Sequence, residues 1–304
     1  MDSVESAILR TVLYADVFDF PLTIHEIHHF LIAAEPLPIS QIEHTLAQSA
    51  CLRQLLVEQQ GYIVCSGRET IISRRLEREE AARHLWPQAL LYGRWLARLP
   101  FVRMVALTGA LAMRNAHQGD DFDYMLVTSP GRVWLARLFA VVIVRLVKLR
   151  GGVICPNYVV AEDALEQRRR DLFIAHEIVQ MVPLYGLDLY HQLRCLNLWA
   201  DRHLPNASAA FYQESEQALG WGWRGFKQAA EVVLSGRVGD MMEHWEHRRK
   251  LRRFRSDLHT PYSDARLDHT QVKGHFNDHG HYVMKHYESR LQHYGLSEQP
   301  APGD

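Results

Sequence analysis

The chain has 304 residues, a formal net charge of −1 and 47% hydrophobic residues, enough apolar material for roughly two or three packed domains. A balance so close to neutral carries no global field that would select nucleic acid or acidic lipid. Cys51, Cys65, Cys155 and Cys195 stand far apart with no C-x-x-C pair, which argues against a zinc knuckle or a disulfide framework and makes a reducing cytoplasm the expected location.

The N-terminus starts acidic and lacks a basic n-region with a cleavage site, so no signal peptide is expected. Residues 4–17 have helical period, with Ile8, Val12 and Leu13 apolar, and stop near Phe20 and Pro21. Thr23, with Glu26 three residues on, forms a capping box for a second helix through Ile32. After Pro36 and Pro38, Ser40 is expected to cap a third helix reaching about Cys51. The runs 55–58 and 62–65 around Gln59, Gln60 and Gly61 read as a hairpin, so residues 1–68 have the outline of a winged-helix-like module. Residues 1–66 carry eight acidic side chains against Arg10 and Arg53, a net of −6. Phosphate contact needs Lys and Arg, so a DNA-binding transcription regulator is disfavoured and a structural or protein-docking module is favoured.

Residues 69–100 read as a helical linker, kinked or divided at Pro87, with Arg74, Arg75 and Arg78 on a solvated face. The stretch 102–128 is an apolar run, a sharp turn at Gly109, a short helical pattern, a Gly119-Asp120 turn and a second apolar run carrying Asp121 and Asp123. Successive strand side chains point to opposite faces, so these two carboxylates share one face about 6–7 Å apart along the strand. Hard cations take oxygen ligands and keep substrate phosphates in their shell, which makes Asp121 and Asp123 candidate ligands for Mg²⁺ or Mn²⁺ in phosphoryl chemistry. The Gly109 turn upstream offers backbone N–H groups to a phosphate.

This order of features resembles the nucleotidyltransferase superfamily related to DNA polymerase β, whose signature is Gly-Ser, a short helix, then Asp-x-Asp on the next strand. The matching positions are Gly109, Ala110, Asp121 and Asp123, and the runs from Cys155 (CPNYVVAEDAL) and Arg168 (RRRDLFIAHEIVQMVPLYG) look like bacterial stand-alone nucleotidyltransferase-domain proteins. The resemblance implies an α+β chain with a central mixed sheet, its core at 101–165. It also implies transfer of a nucleotidyl group from a nucleoside triphosphate to an acceptor, which protein, RNA or a small molecule could each supply. Asp121 and Asp123 are then the catalytic metal ligands, and Thr108, Gly109 and Ala110 the nucleotide-binding residues. Two departures stand out: the family's Ser is Ala110, and the third carboxylate has no clear counterpart. The next strand-like run, 152–161, offers Asn157 internally, with Glu162 and Asp163 only beyond it. A catalytically weakened or inactive nucleotide-binding or scaffold protein is the alternative these departures leave open.

The run 133–149 contains Arg137, Arg145 and Lys148, too charged and too short for a membrane span, and reads as a helix packed on the sheet. Beyond residue 160 the sheet signals stop, and 166–296 reads as a helical region with helices at 172–181, 187–204 and 208–219. His176 and Glu177 read as a satisfied polar pair on a helix face, and Trp221 and Trp223 as core or interface aromatics. Residues 241–256 carry six basic side chains and read as a long exposed helix with a basic face, with RNA or a membrane surface as the functional alternative. His275, Asp278, His279 and His281 fall within seven residues. They are candidates for a transition metal, or for polar groups folded back onto the nucleotide site, with Asp278 equally suited to an N-cap. Residues 297–304 are expected to be disordered.

Overall fold

The computed structural model describes residues 1–253, 266–273 and 279–297, so His275 and Asp278, Arg255 at the end of the basic run and nearly all of the expected tail lie outside the described residues. Helix α1 (Ser3–Asp16) opens on a capping box of Asp2 and Glu5, and α2 (Ile24–His29) on that of Thr23 and Glu26. Helix α3 (Ile39–Gln48) starts at Pro38 rather than Ser40, and α4 (Ala50–Leu55) is capped by Ser49. The hairpin β1 (Leu56–Gln59) and β2 (Tyr62–Cys65) turns on Gln60 and Gly61, both left-handed at φ 55° and 79°. Leu22 adds a bridge to Ile63 on its outer edge.

Helix α5 (Ile71–Ala97) runs through Pro87 undivided, so the proline costs a hydrogen bond without ending the helix. There follow β3 (Val102–Leu107), α6 (Gly109–Ala112), β4 (Phe122–Thr128), α7 (Val133–Lys148) and β5 (Ile154–Ala161). Next come α8 (Leu172–Gln180), β6 (Val182–Tyr185) and α9 (Leu187–Leu196), the last extended by a 3-10 turn at Leu198–Arg202. The C-terminal part holds α10 (Trp221–Leu234), α11 (Arg237–Arg253), β7 (Arg266–Leu267), β8 (Gln271–Lys273) and α12 (His279–His293).

The chain is α+β. Its larger sheet has six strands in the order β6-β3-β4-β5-β8-β7, parallel only between β4 and β5 and antiparallel elsewhere. Alternation along the central strands divides the interior in two. Val105, Leu107, Tyr124 and Leu126 face α5 and α7, and the Tyr124 hydroxyl donates to the Ala89 carbonyl at 2.7 Å. Met104, Ala106, Met125 and Val127 face the opposite layer, where α8 packs and the core continues without a break into α1, α2 and the hairpin.

Several expectations are corrected here. The sheet does not stop at residue 160, because β6, β7 and β8 all join it. Pro183 sits in the edge strand β6, where a missing ladder donor is tolerated. No helix forms over 208–219, and 187–204 divides into α9 and the 3-10 turn. Of the arginines of α5 read as a solvated face, Arg74 is exposed and pairs with Asp19 at 3.0 Å, whereas Arg75 is 1% exposed and bonded to Glu26 at 2.7 Å, and Arg78 is half-buried and donates to the Phe18 carbonyl and to Asn115.

Candidate functional site

The site is built where β3 ends and β4 begins. Antiparallel pairing makes the Thr108 N–H donate to the Asp123 carbonyl at 2.9 Å, so the turn after β3 lies against the start of β4. Gly109 takes φ +68° there, a left-handed conformation that glycine adopts at least cost. Space makes the same demand, since a Cβ on Gly109 would lie 2.4 Å from Asp123 Oδ2. The glycine is the cradle of that carboxylate.

Strand β5 lies parallel to β4 and sets Cys155 opposite Asp123. From that pair to Met125 opposite Tyr158, β4 advances two residues and β5 three, a β-bulge at Pro156 and Asn157. Bulges beside functional sites re-aim side chains, and Asn157 lines the cavity that Asp123 also lines. Ligand atoms of Asp121, Asp123 and Cys155 lie within 4.8 Å of one another. Asp121 is exposed, while Asp123 and Cys155 are half-buried.

Burial, the neighbouring Asp121 charge and Glu177 push the Asp123 carboxyl up to about 7. Burial and the charges of Asp123 and Asp121 push the Cys155 thiol up to about 12, so at neutral pH it stays protonated and hydrogen-bonded to Asp123. The donor set therefore fits a hard divalent cation: two carboxylates supply oxygen ligands, and one of them is held at a raised pKa by burial and by neighbouring negative charge that a cation would offset. Cys155 serves this set as a hydrogen-bond donor rather than as a thiolate.

Asp123 stands at one end of a cavity of about 680 Å³ between the N-terminal helices and the sheet. Its lining includes the polar groups of Asn157, Glu177, Lys273 and His279, the Gly109–Ala110 turn, and rings such as Tyr14, Phe18, Phe30 and Phe173. Burial also raises the Glu177 carboxyl, with Lys273 acting against it. His176, on the same helix, is buried, stacks on Tyr14 at 3.9 Å and has its Nδ1 2.9 Å from the Leu172 carbonyl. His176 and Glu177 both line the cavity, and the histidine is in addition packed on Tyr14 and held by the Leu172 carbonyl.

The structure brings Gly109, Ala110, Asp121, Asp123 and Asn157 together. Thr108 points elsewhere: its hydroxyl is buried without a hydrogen-bond partner and lines a smaller cavity of about 70 Å³, which shares Asn157, Glu177 and Lys273 with the larger one. His279, at the start of α12, reaches the large cavity beside Phe18 and Phe173, and no metal-binding group containing it occurs among the described residues. Cys155, Glu177 and Lys273 were not singled out as site residues from the sequence; each arrives from a different distant segment. No protein-family model, curated protein or solved structure matches the chain.

Proposed function

We propose that the chain is a Mg²⁺-dependent nucleotidyltransferase that moves a nucleotidyl group from a nucleoside triphosphate to an acceptor hydroxyl. The observation that carries this reading is the convergence of Asp121 and Asp123 beside the left-handed Gly109 turn, on adjacent antiparallel strands of a mixed sheet. Asp121 and Asp123 would hold Mg²⁺ or Mn²⁺, which when bound supplies charge neutralisation for a triphosphate and polarises its phosphoryl oxygens.

The chain's own groups do the rest. The N–H groups of Gly109 and Ala110 face the triphosphate's departing end, as first-turn donors with no intrahelical acceptor. An acceptor oxygen forms a bond to the α-phosphorus, the bond to the bridging oxygen breaks, and pyrophosphate leaves. Glu177, inside the cavity with a raised pKa, takes the acceptor's proton and fills the role of the carboxylate that the strand at 154–161 lacks. In the N-terminal part, read as a winged-helix-like module, α1 and the residues 18–22 and Phe30 serve here as a wall of the substrate cavity rather than as a reader of DNA.

Titration of Mn²⁺ with ATP or GTP into the wild type and into Asp121→Asn/Asp123→Asn tests the reading. Metal-dependent nucleotide affinity is expected only in the wild type, and equal affinity in both would remove it. Ala110, without the family's hydroxyl, favours a second reading in which nucleotide binds but transfer is feeble. Under it, Ala110→Ser tightens nucleotide binding while label transfer stays at background.

A further inference from the structure

Helices α10 and α11 are inside out. On α10 the groups turned to the body are ionisable. Lys227, 5% exposed, donates to the Ala97 carbonyl at 2.8 Å, and Glu231 accepts from the Phe101 N–H and from Arg103 at 2.7 Å. The groups turned to solvent are apolar: Trp221 is 91% exposed, Phe226 62%, Val232 75% and Val233 71%. At 3.6 residues per turn these four fall in one arc of about 140°, opposite Lys227 and Glu231.

Helix α11 repeats the pattern. Glu243 is buried and accepts from the Trp134 and Leu135 N–H groups at the start of α7, and Glu246 is fully buried. Met241 and Trp245 stand 66% and 55% exposed on the outer side. A groove there sets both residues beside Arg248, Arg249 and Arg252, with the Arg249 guanidinium 5.1 Å from the Trp245 ring. Of the eighteen large apolar side chains exposed among the described residues, eight lie between 221 and 245. The exposure is concentrated on two helices that touch each other rather than scattered over the chain.

We propose that α10 and α11 form a docking surface for an anionic lipid bilayer. The charge pattern selects the occupant. Glu231, Glu243 and Glu246 are buried or half-buried, Glu246 pairing with Arg249 at 2.6 Å, which leaves Asp240 as the one exposed acid of the two helices against exposed Arg237, Arg248, Arg252 and Arg253. Tryptophan rings with arginines at their edge suit the headgroup level, where the ring sits at the boundary and the guanidinium extends to phosphate. A second copy of the chain would press this cationic face against itself. RNA would pair with the arginines and leave Val232, Val233 and Met241 unmatched. Among the described residues no helix is long and apolar enough to cross a membrane, so attachment would be at the surface.

Co-sedimentation of the full chain with vesicles decides the matter. Wild-type protein is expected to bind phosphatidylcholine vesicles containing phosphatidylserine, to be released by salt, and to leave pure phosphatidylcholine in the supernatant. Arg248→Gln/Arg252→Gln should lower the partition by roughly tenfold or more, at about 1 kcal/mol per charge near an anionic surface. Phe226→Gln/Val233→Gln should lower it comparably with unchanged melting, since both side chains are exposed. If a variant melts lower, the wild-type comparison of the two vesicles decides alone. Absence of binding to phosphatidylserine vesicles overturns the proposal. So does equal binding to both vesicles, a dimer in solution abolished by Phe226→Gln/Val233→Gln, or capture of single-stranded RNA without capture of anionic vesicles.

Discussion

Gly109 shows how far a single residue can be argued in advance. Its place at a sharp turn before Asp-x-Asp is a short-range pattern, readable because both residues belong to one hairpin-like unit. Gly109→Ala is expected to meet two obstacles at once, the left-handed φ of +68° and the Asp123 carboxylate 2.4 Å from the new methyl. The backbone strain alone costs about 1–3 kcal/mol, and displacement of Asp123 should abolish metal-dependent nucleotide binding. Denaturant melts alongside a Mn²⁺ and ATP titration would measure both, and a stability loss with unchanged affinity would detach Gly109 from the site. Cys155 and Glu177 were not legible in this way. Cys155 reaches Asp123 through a parallel register set by the whole β4–β5 crossover, and Glu177 comes from α8, packed over the face of the sheet that carries Asp123. No local pattern encodes either distance.

At the scale of elements, strongly periodic segments were legible and marginal strands were not. Helices α1 and α7 follow their patterns closely, whereas β7 and β8 are two and three residues long and hold only by pairing to β5 or to each other. Helix α10 misled because its apolar arc is its outer one. Helix α8 carries a testable element-level consequence. Burial against Tyr14 pushes His176 down to about 3 and, at the neighbouring layer, His29 down to about 4. Both folded values lie below the ordinary histidine value of 6.5, so the unfolded chain takes up protons first as pH falls. Their contribution is therefore fully present above about pH 6.5 and is lost progressively down to the folded values, by about 1.4 kcal/mol per pH unit for each histidine. His176→Phe keeps a ring against Tyr14 and removes one of these protons. The slope of stability against pH between 6 and 4 should flatten by about 1.4 kcal/mol per unit, as read from urea melts at successive pH values; an unchanged slope would mean that His176 is not neutral in the fold.

For the whole molecule, the division into an N-terminal module, a linker and a sheet describes the sequence better than it describes the packing. Arg75 of α5 is buried against Glu26 of α2 and Glu79 of its own helix, with its guanidinium 3.7 Å from the Phe20 ring centre. Tyr212, from the segment before α10, donates to the same Glu26 carboxylate at 3.4 Å. Tyr14 stacks on His176 of α8, and Asp16 at the end of α1 pairs with Arg290 of α12 at 2.8 Å. The cavity itself has one wall from α1 and the segments flanking α2 and another from the sheet and α8. Arg75→Ala would leave Glu26 buried without its cation, a loss of about 3–5 kcal/mol for a broken buried pair. Glu26→Ala/Arg75→Ala should cost less than the sum of the two single changes, because neither charge is then left unpaired. Since these contacts tie α1 and α2 to every other layer, the loss should appear as one cooperative transition moved to lower denaturant, with far-ultraviolet ellipticity and tryptophan emission changing together. Two separated transitions in Arg75→Ala, with the emission of Trp134 in the sheet core unmoved while helix is lost, would instead make residues 1–68 an independently folding unit and Arg75 its hinge.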